Sequence, residues 1–249
     1  MAAKNNGFQF KQFYIEHSRC AMKVGTDSIM LGSWLEADNA LNILDIGTGS
    51  GLLALMLAQK SILRARILGI DIDPQAIEQA KVNGENSPWA EKLAFAPLAV
   101  QELQTVATYP QSFDLIVSNP PYFPLNLTAN QQNEHKADRQ RIQARQTTSL
   151  DHKELLKYVN IHLSDGGCFY CVLPIDVGDK FVVEAVLYGL HLQQQLQVQT
   201  HASGKLTRLL LKFSRNKSSP QINKLTIYDK DKHYSQAYMD LCNAFYLRF

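Results

Sequence analysis

The order of apolar runs predicts an α/β chain. Its core is a doubly wound, mostly parallel sheet of seven strands with an antiparallel C-terminal hairpin. Three observations carry this expectation. Short apolar runs alternate with helix-length stretches from residue 41 to residue 188, the signature of repeated β-α units. A glycine-rich turn, Gly47 to Gly51, joins the first such strand to the first helix. The last two runs, 192–200 and 207–213, are joined only by a turn at Ala202-Ser203-Gly204, which makes them antiparallel.

Residues 1–24 mix aromatic, basic and small polar types without periodicity and read as a lead-in. A helix over 27–37 follows, with Ile29, Met30, Trp34 and Leu35 at helical spacing and Thr26 or Asp27 suited to cap it. The run 41–46 is the first strand and 51–60 the first crossover helix. The second strand is 66–70. The helix 74–83 starts on Pro74, where a missing N–H costs nothing. Strands over 93–98 and 113–117 come next. A helix over 150–163 is ended by Asp165-Gly166-Gly167, then come a strand over 168–173 and a helix over 176–188. The tail holds a strand-like run at 225–229 and a short aromatic helix over 238–247, both outside the seven strands. The polar segment 124–149, rich in Asn, Gln and Arg, is long for a connection in a compact domain, which marks it as functional or disordered.

The chain has 249 residues, 45% of them hydrophobic and 19% charged, which fits one sizeable soluble domain over 1–249. No apolar stretch is long enough to span a bilayer, and the N-terminus lacks the apolar core of a signal peptide, so a cytoplasmic protein with no membrane partner is expected. Cys168 and Cys171 lie three apart in a strand and point to opposite faces, which argues against a metal or disulfide pair. The seven histidines show no ligand spacing, so no metal is expected; a monomer or weak dimer is. Charge is uneven. Residues 31–120 hold 5 Lys/Arg against 10 Asp/Glu, whereas 201–249 hold 9 against 3, an asymmetry that suits a polyanionic partner.

The stretch Asp45-Ile46-Gly47-Thr48-Gly49-Ser50-Gly51 follows a strand and opens a helix. Its glycines stand at positions 1, 3 and 5, whereas the dinucleotide fingerprint wants 1, 3 and 6, and no Gly-Lys-Ser/Thr of a phosphate loop follows. It resembles motif I of the class I S-adenosylmethionine-dependent methyltransferases, a Rossmann-like fold. Asp71 ends the second strand, where a carboxylate can accept both ribose hydroxyl hydrogens, with Ile72 beside it. The resemblance therefore implies S-adenosyl-L-methionine as cofactor, held by Asp45, Gly47, Gly49, Gly51, Asp71 and Ile72. It also implies that residues 1–38 cover the cofactor site and that 215–249 pack on the domain as a tail. Lys23 and Thr26 belong to the covering box, with Lys23 toward the cofactor's carboxylate and Asp27 or Asp45 toward its amino group. Many relatives read the cofactor's adenine with an acidic residue after the third strand. Ala99 stands there instead, and Gln101 or a backbone group takes that part.

Asn119-Pro120-Pro121-Tyr122 closes the strand 113–117 and resembles motif IV of amino-methyltransferases acting on conjugated nitrogen. The residue types fit that chemistry. The lone pair of such an amine is delocalised. Two acceptors, the Asn119 side-chain oxygen and the Pro120 carbonyl, can draw the nitrogen toward tetrahedral geometry. Pro121 stiffens the turn, and Tyr122 offers a face for a planar base. Adenine in DNA, adenine in RNA and protein glutamine share this motif. Only about 40 residues precede the first strand, which disfavours the glutamine enzymes with their N-terminal domain. Phe10 to Phe13, Cys20 to Asp27, Leu31 to Trp34, Ala144-Arg145, Leu225 to Asp229, Tyr234-Ser235 and Phe245 to Leu247 are similar to the bacterial tRNA1(Val) adenine-37 N6-methyltransferase family. That resemblance implies an anticodon-loop adenine as target, with DNA adenine and protein glutamine as alternatives. Lys136, Arg139, Arg141 and Arg145, just after the catalytic turn, are the expected phosphate contacts, and Lys205, Arg208, Lys212, Arg215 and Lys217 form a second candidate patch.

Overall fold

A computed structural model describes residues 7–20, 23–108, 112–120 and 151–248 of the chain. All seven expected strands form. After a small antiparallel pair, β1 (Gly7–Gln9) and β2 (Tyr14–Glu16), come β3 (Asn42–Ile46), β4 (Arg66–Asp71), β5 (Leu93–Pro97), β6 (Phe113–Ser118), β7 (Leu163–Pro174), β8 (His191–His201) and β9 (Leu206–Ser214). An eighth strand, β10 (Gln221–Tyr228), pairs parallel with β8. The sheet order is β10-β8-β9-β7-β6-β3-β4-β5, and β9 alone runs antiparallel to its neighbours.

The extra strand corrects the seven-strand expectation. Without β10, β8 would present an open row of backbone groups at the sheet edge. β10 covers that row and buries Leu225 and Ile227 in the core. A second difference lies in β7. The Asp165-Gly166-Gly167 turn does not precede the strand but is a bulge within it. Phe113 pairs with Leu163 and Leu115 with Cys168, while Gly166 takes up the excess at a φ of +82°.

Among the described residues, six helices cover the sheet: α1 (Thr26–Trp34), α2 (Leu52–Lys60), α3 (Pro74–Glu85), α4 (His152–His162), α5 (Ile175–Ala185) and α6 (Gln236–Cys242). Strand residues alternate between two cores. Ile43, Ile67, Leu115 and Tyr170 pack with residues of α1, α2 and α6 on one face. Leu44, Leu68, Ile116 and Phe169 pack with residues of α4 and α5 on the other. Cys168 and Cys171 fall into opposite cores, as their spacing requires.

Helix α1 is shorter than expected and is capped by Gly25 in extended conformation, not by Thr26 or Asp27. The Asp27 carboxylate is used elsewhere, against Arg208 of β9 at 2.8 Å. At Gly32 the helix approaches α2 so closely that a Cβ there would stand 2.5 Å from Met56 Sδ. Two lysines close the C-terminal ends of successive helices. Lys60 Nζ donates to the Ser33 carbonyl at 2.7 Å, at the end of α1. Lys92, buried at 7% exposure, donates to the Ala58 and Ser61 carbonyls at 2.9 Å each, at the end of α2. A cation suits the negative end of a helix and satisfies carbonyls that lack an intrahelical partner.

Replacing Lys92 with Met removes the donor for two carbonyls and leaves the apolar stem. The expected loss is about 1–3 kcal/mol of unfolding free energy, read from urea denaturation. An unchanged midpoint would show that these bonds contribute nothing net.

Candidate active site

Three parallel strands end level with one another. Ile46 of β3 pairs with Ile70 of β4 on one side and Ser118 of β6 on the other. The residues that follow, Gly47, Asp71 and Asn119, therefore leave the sheet side by side at its C-terminal edge. The hydroxyl of Ser118 donates to the Ile46 carbonyl at 2.9 Å and ties β6 to β3 at that point.

The glycine loop needs its glycines for conformation. Gly47, Gly49 and Gly51 adopt φ of +74°, +55° and +82°, where a side chain is strained. A Cβ on Gly47 or Gly49 would meet nothing within 4 Å among the described residues. The Gly47 and Thr48 amides donate to the Ile70 carbonyl at 2.9 and 3.0 Å. The Gly49 amide donates to Asp71 Oδ2 at 3.0 Å, and the Asp73 amide to Asp71 Oδ1 at 2.9 Å. Each Asp71 oxygen thus keeps lone-pair capacity for another donor. Burial raises its carboxyl above the usual range despite those amides. Ile72 beside it is 52% exposed, an apolar side chain on the rim.

Asp45 lies fully buried beneath the loop. Thr48 Oγ1 donates to its Oδ2 at 2.7 Å, while Oδ1 is buried without a hydrogen-bond partner among the described residues. Burial pushes its carboxyl up from 3.8 to about 7, and the Thr48 hydrogen bond opposes that only in part. Asn119 repeats the pattern. Its Nδ2 donates to Ser28 Oγ at 2.8 Å, and its Oδ1 is buried with no partner among the described residues. Two unpaired acceptors at one sheet edge are costly to fold and invite donors from a ligand.

Lys23 and Thr26 are exposed. Asp27, one of the two carboxylates expected toward the cofactor's amino group, forms an ion pair with Arg208 that holds α1 against β9. The second candidate patch is largely structural for the same reason. Besides Arg208, Lys212 pairs with Glu36 at 2.7 Å, and Arg215 donates to the carbonyls of Asn160 and Leu163 at 2.5 and 2.8 Å. Lys205 and Lys217 remain exposed. Gln101 gives its Nε2 to Glu154 of α4 at 3.1 Å. Pro120 is buried at the end of β6. Pro121, Tyr122, Lys136, Arg139, Arg141 and Arg145 lie outside the described residues. Ser28 and Ser118 were not singled out in the sequence, since a lone serine carries no spacing signal.

A methyltransferase-domain family model matches residues 37–158. A protein of Pseudoalteromonas atlantica named tRNA1(Val) (adenine(37)-N6)-methyltransferase is 45% identical, covering 99% of this chain and 100% of its own. One of the same name from Pectobacterium carotovorum is 41% identical over 99% of this chain and 96% of its own. The crystal structure of a predicted O-methyltransferase from Agrobacterium tumefaciens matches with a TM-score of 0.66 and 13% identity. It covers 88% of this chain and 96% of that one, and it speaks to the fold alone.

The buried carboxyl makes a prediction about pH. Asp45 binds its proton more tightly folded than unfolded, so its contribution to stability is full below 3.8 and is lost as pH rises through about 7. Asp45→Asn keeps the acceptor for Thr48 and cannot ionise. Denaturation midpoints of the wild type should fall relative to this variant across that interval. Parallel profiles would mean that Asp45 ionises at an ordinary value.

Proposed function

Since the chain belongs to the tRNA1(Val) (adenine(37)-N6)-methyltransferase family, we propose that it methylates the exocyclic N6 of adenine 37 in tRNA1(Val), with S-adenosyl-L-methionine as donor. The observation that carries this reading is the Asn119 amide. It stands at the end of a parallel strand with its nitrogen engaged and its oxygen buried without a partner among the described residues.

The residues present fit the cofactor. Its ammonium would take the unpaired Oδ1 of Asp45 as partner, and its ribose hydroxyls would use the remaining capacity of Asp71. The backbone of Gly47, Gly49 and Gly51 would border it closely, and Ile72 would lie against its adenine. With Nε2 of Gln101 held by Glu154, its Oε1 is an acceptor for the adenine amino group, in the part that Ala99 cannot play. Lys23 would meet the carboxylate, with Thr26 in the same covering box. When bound, the cofactor supplies an electrophilic methyl group on a sulfonium.

The chain's own part is positioning. The target amine offers two hydrogens, and Asn119 Oδ1 and the Pro120 carbonyl accept them. That draws the nitrogen out of conjugation and directs its lone pair. Once alkylated, the nitrogen is cationic and loses one proton to water. Tyr122 would stack on the flipped base, and Pro121 would keep the turn stiff. Lys136, Arg139, Arg141 and Arg145 would neutralise phosphates of the anticodon arm.

The test is labelled cofactor with total RNA from cells lacking the modification, followed by identification of the labelled nucleoside and its position. N6-methyladenosine at position 37 of tRNA1(Val) supports the reading. Label in DNA or in protein glutamine would replace it with one of the alternatives. Asn119→Ala should lower kcat by about 10²–10³-fold while cofactor affinity persists. Neutralising one of Arg139, Arg141 or Arg145 should flatten the salt dependence of tRNA binding by about one counterion, read as the slope of log K against log salt.

A further inference from the structure

We propose that Ser28 is a positioning residue for the methyl transfer: its hydroxyl holds the Asn119 amide in the one orientation that can accept the target amine. This rests on the methyltransferase reading above.

A carboxamide has two ends of similar size and opposite polarity, an acceptor oxygen and a donor NH₂. Turned one way, Asn119 presents Oδ1 to the amine. Turned the other way, it presents hydrogens to hydrogens, and the amine gains no acceptor. The backbone leaves this choice to the side chain, because Ser118 is tied to Ile46 and Pro120 is buried. The Nδ2 end is engaged by Ser28 Oγ at 2.8 Å, and the Oδ1 end has no partner among the described residues. The substrate amine can only donate to Oδ1, so the productive arrangement is the one in which Ser28 accepts from Nδ2.

The hydroxyl is well placed for this because α1 is held at both ends. Asp27, the neighbour of Ser28, takes Arg208 Nε of β9 at 2.8 Å. Ile29 and Met30 are buried at 2% and 1% exposure, and Lys60 closes the C-terminal turn through Ser33. A residue 91 positions away in sequence thereby takes the Nδ2 end of the amide and leaves Oδ1 for the substrate amine. The covering helix would then act on the chemistry as well as enclose the cofactor.

The experiment uses the full chain, unmodified tRNA1(Val) transcript and labelled S-adenosylmethionine. Absence of methyl transfer by the wild type would sink the functional reading itself. Given an active wild type, Ser28→Ala should lower kcat on the order of tenfold, the worth of one neutral hydrogen bond. The KM for tRNA and the calorimetric Kd for the cofactor should stay within about twofold, because binding is not what Ser28 serves. Ser28→Thr, which keeps the hydroxyl, should recover most of the lost kcat. An unchanged kcat in Ser28→Ala overturns the proposal. So does a loss that appears in KM or Kd instead of kcat, or a Thr variant no better than Ala.

Discussion

The parallel register of β3, β4 and β6 is the constraint on which the rest depends. Ile46, Ile70 and Ser118 are level because every strand residue in this region has an assigned face. Ile43 and Leu115 belong to one core, Leu44 and Ile116 to the other. A slip of one residue would exchange the two sets. It would also move Asn119 by about 3.3 Å along the strand, beyond hydrogen-bonding reach of Ser28. The apolar cores therefore set the position of polar groups that they do not touch.

Charge is placed with equal economy. Lys60 and Lys92 spend their ammonium groups on helix carbonyls, and Arg215 does the same for Asn160 and Leu163. Arg208 and Lys212 tie α1 and the segment after it to β9. These cations hold helices and their connections in place, and most of the basic character of the C-terminal strands is consumed in doing so. The two carboxylates at the C-terminal edge of β3 and β4 are treated the opposite way. Asp45 and Asp71 are buried and raised in pKa, a cost that a bound cation and bound hydroxyls would offset.

The ends of the chain meet. Phe10 bridges to Tyr246, Lys11 Nζ donates to the Asn243 carbonyl, and the Phe10 and Phe13 rings stack at 4.6 Å. The Tyr228, Tyr234 and Tyr238 rings stack in series at 5.1 and 4.9 Å. Residues of both described termini, Phe10, Phe13, Tyr238 and Phe245 among them, thus share one core with α1 and β10.

By itself the sequence determined what rests on local pattern. Alternating apolar runs placed seven strands, glycines at 1, 3 and 5 placed the tight turn after β3, and Asn119-Pro120 marked the end of β6. Each is written within a few neighbouring residues, where sterics and burial act directly. Only the tertiary structure decided that β10 joins the sheet, that Gly25 caps α1, and that Asp27 serves Arg208. It also decided that the Nδ2 end of the Asn119 amide meets Ser28. These outcomes depend on pairs such as Ser28 with Asn119 or Asp27 with Arg208, which lie 91 and 181 positions apart. Spacing along the chain carries no record of such pairs, because the folded sheet, and not the local sequence, brings them together.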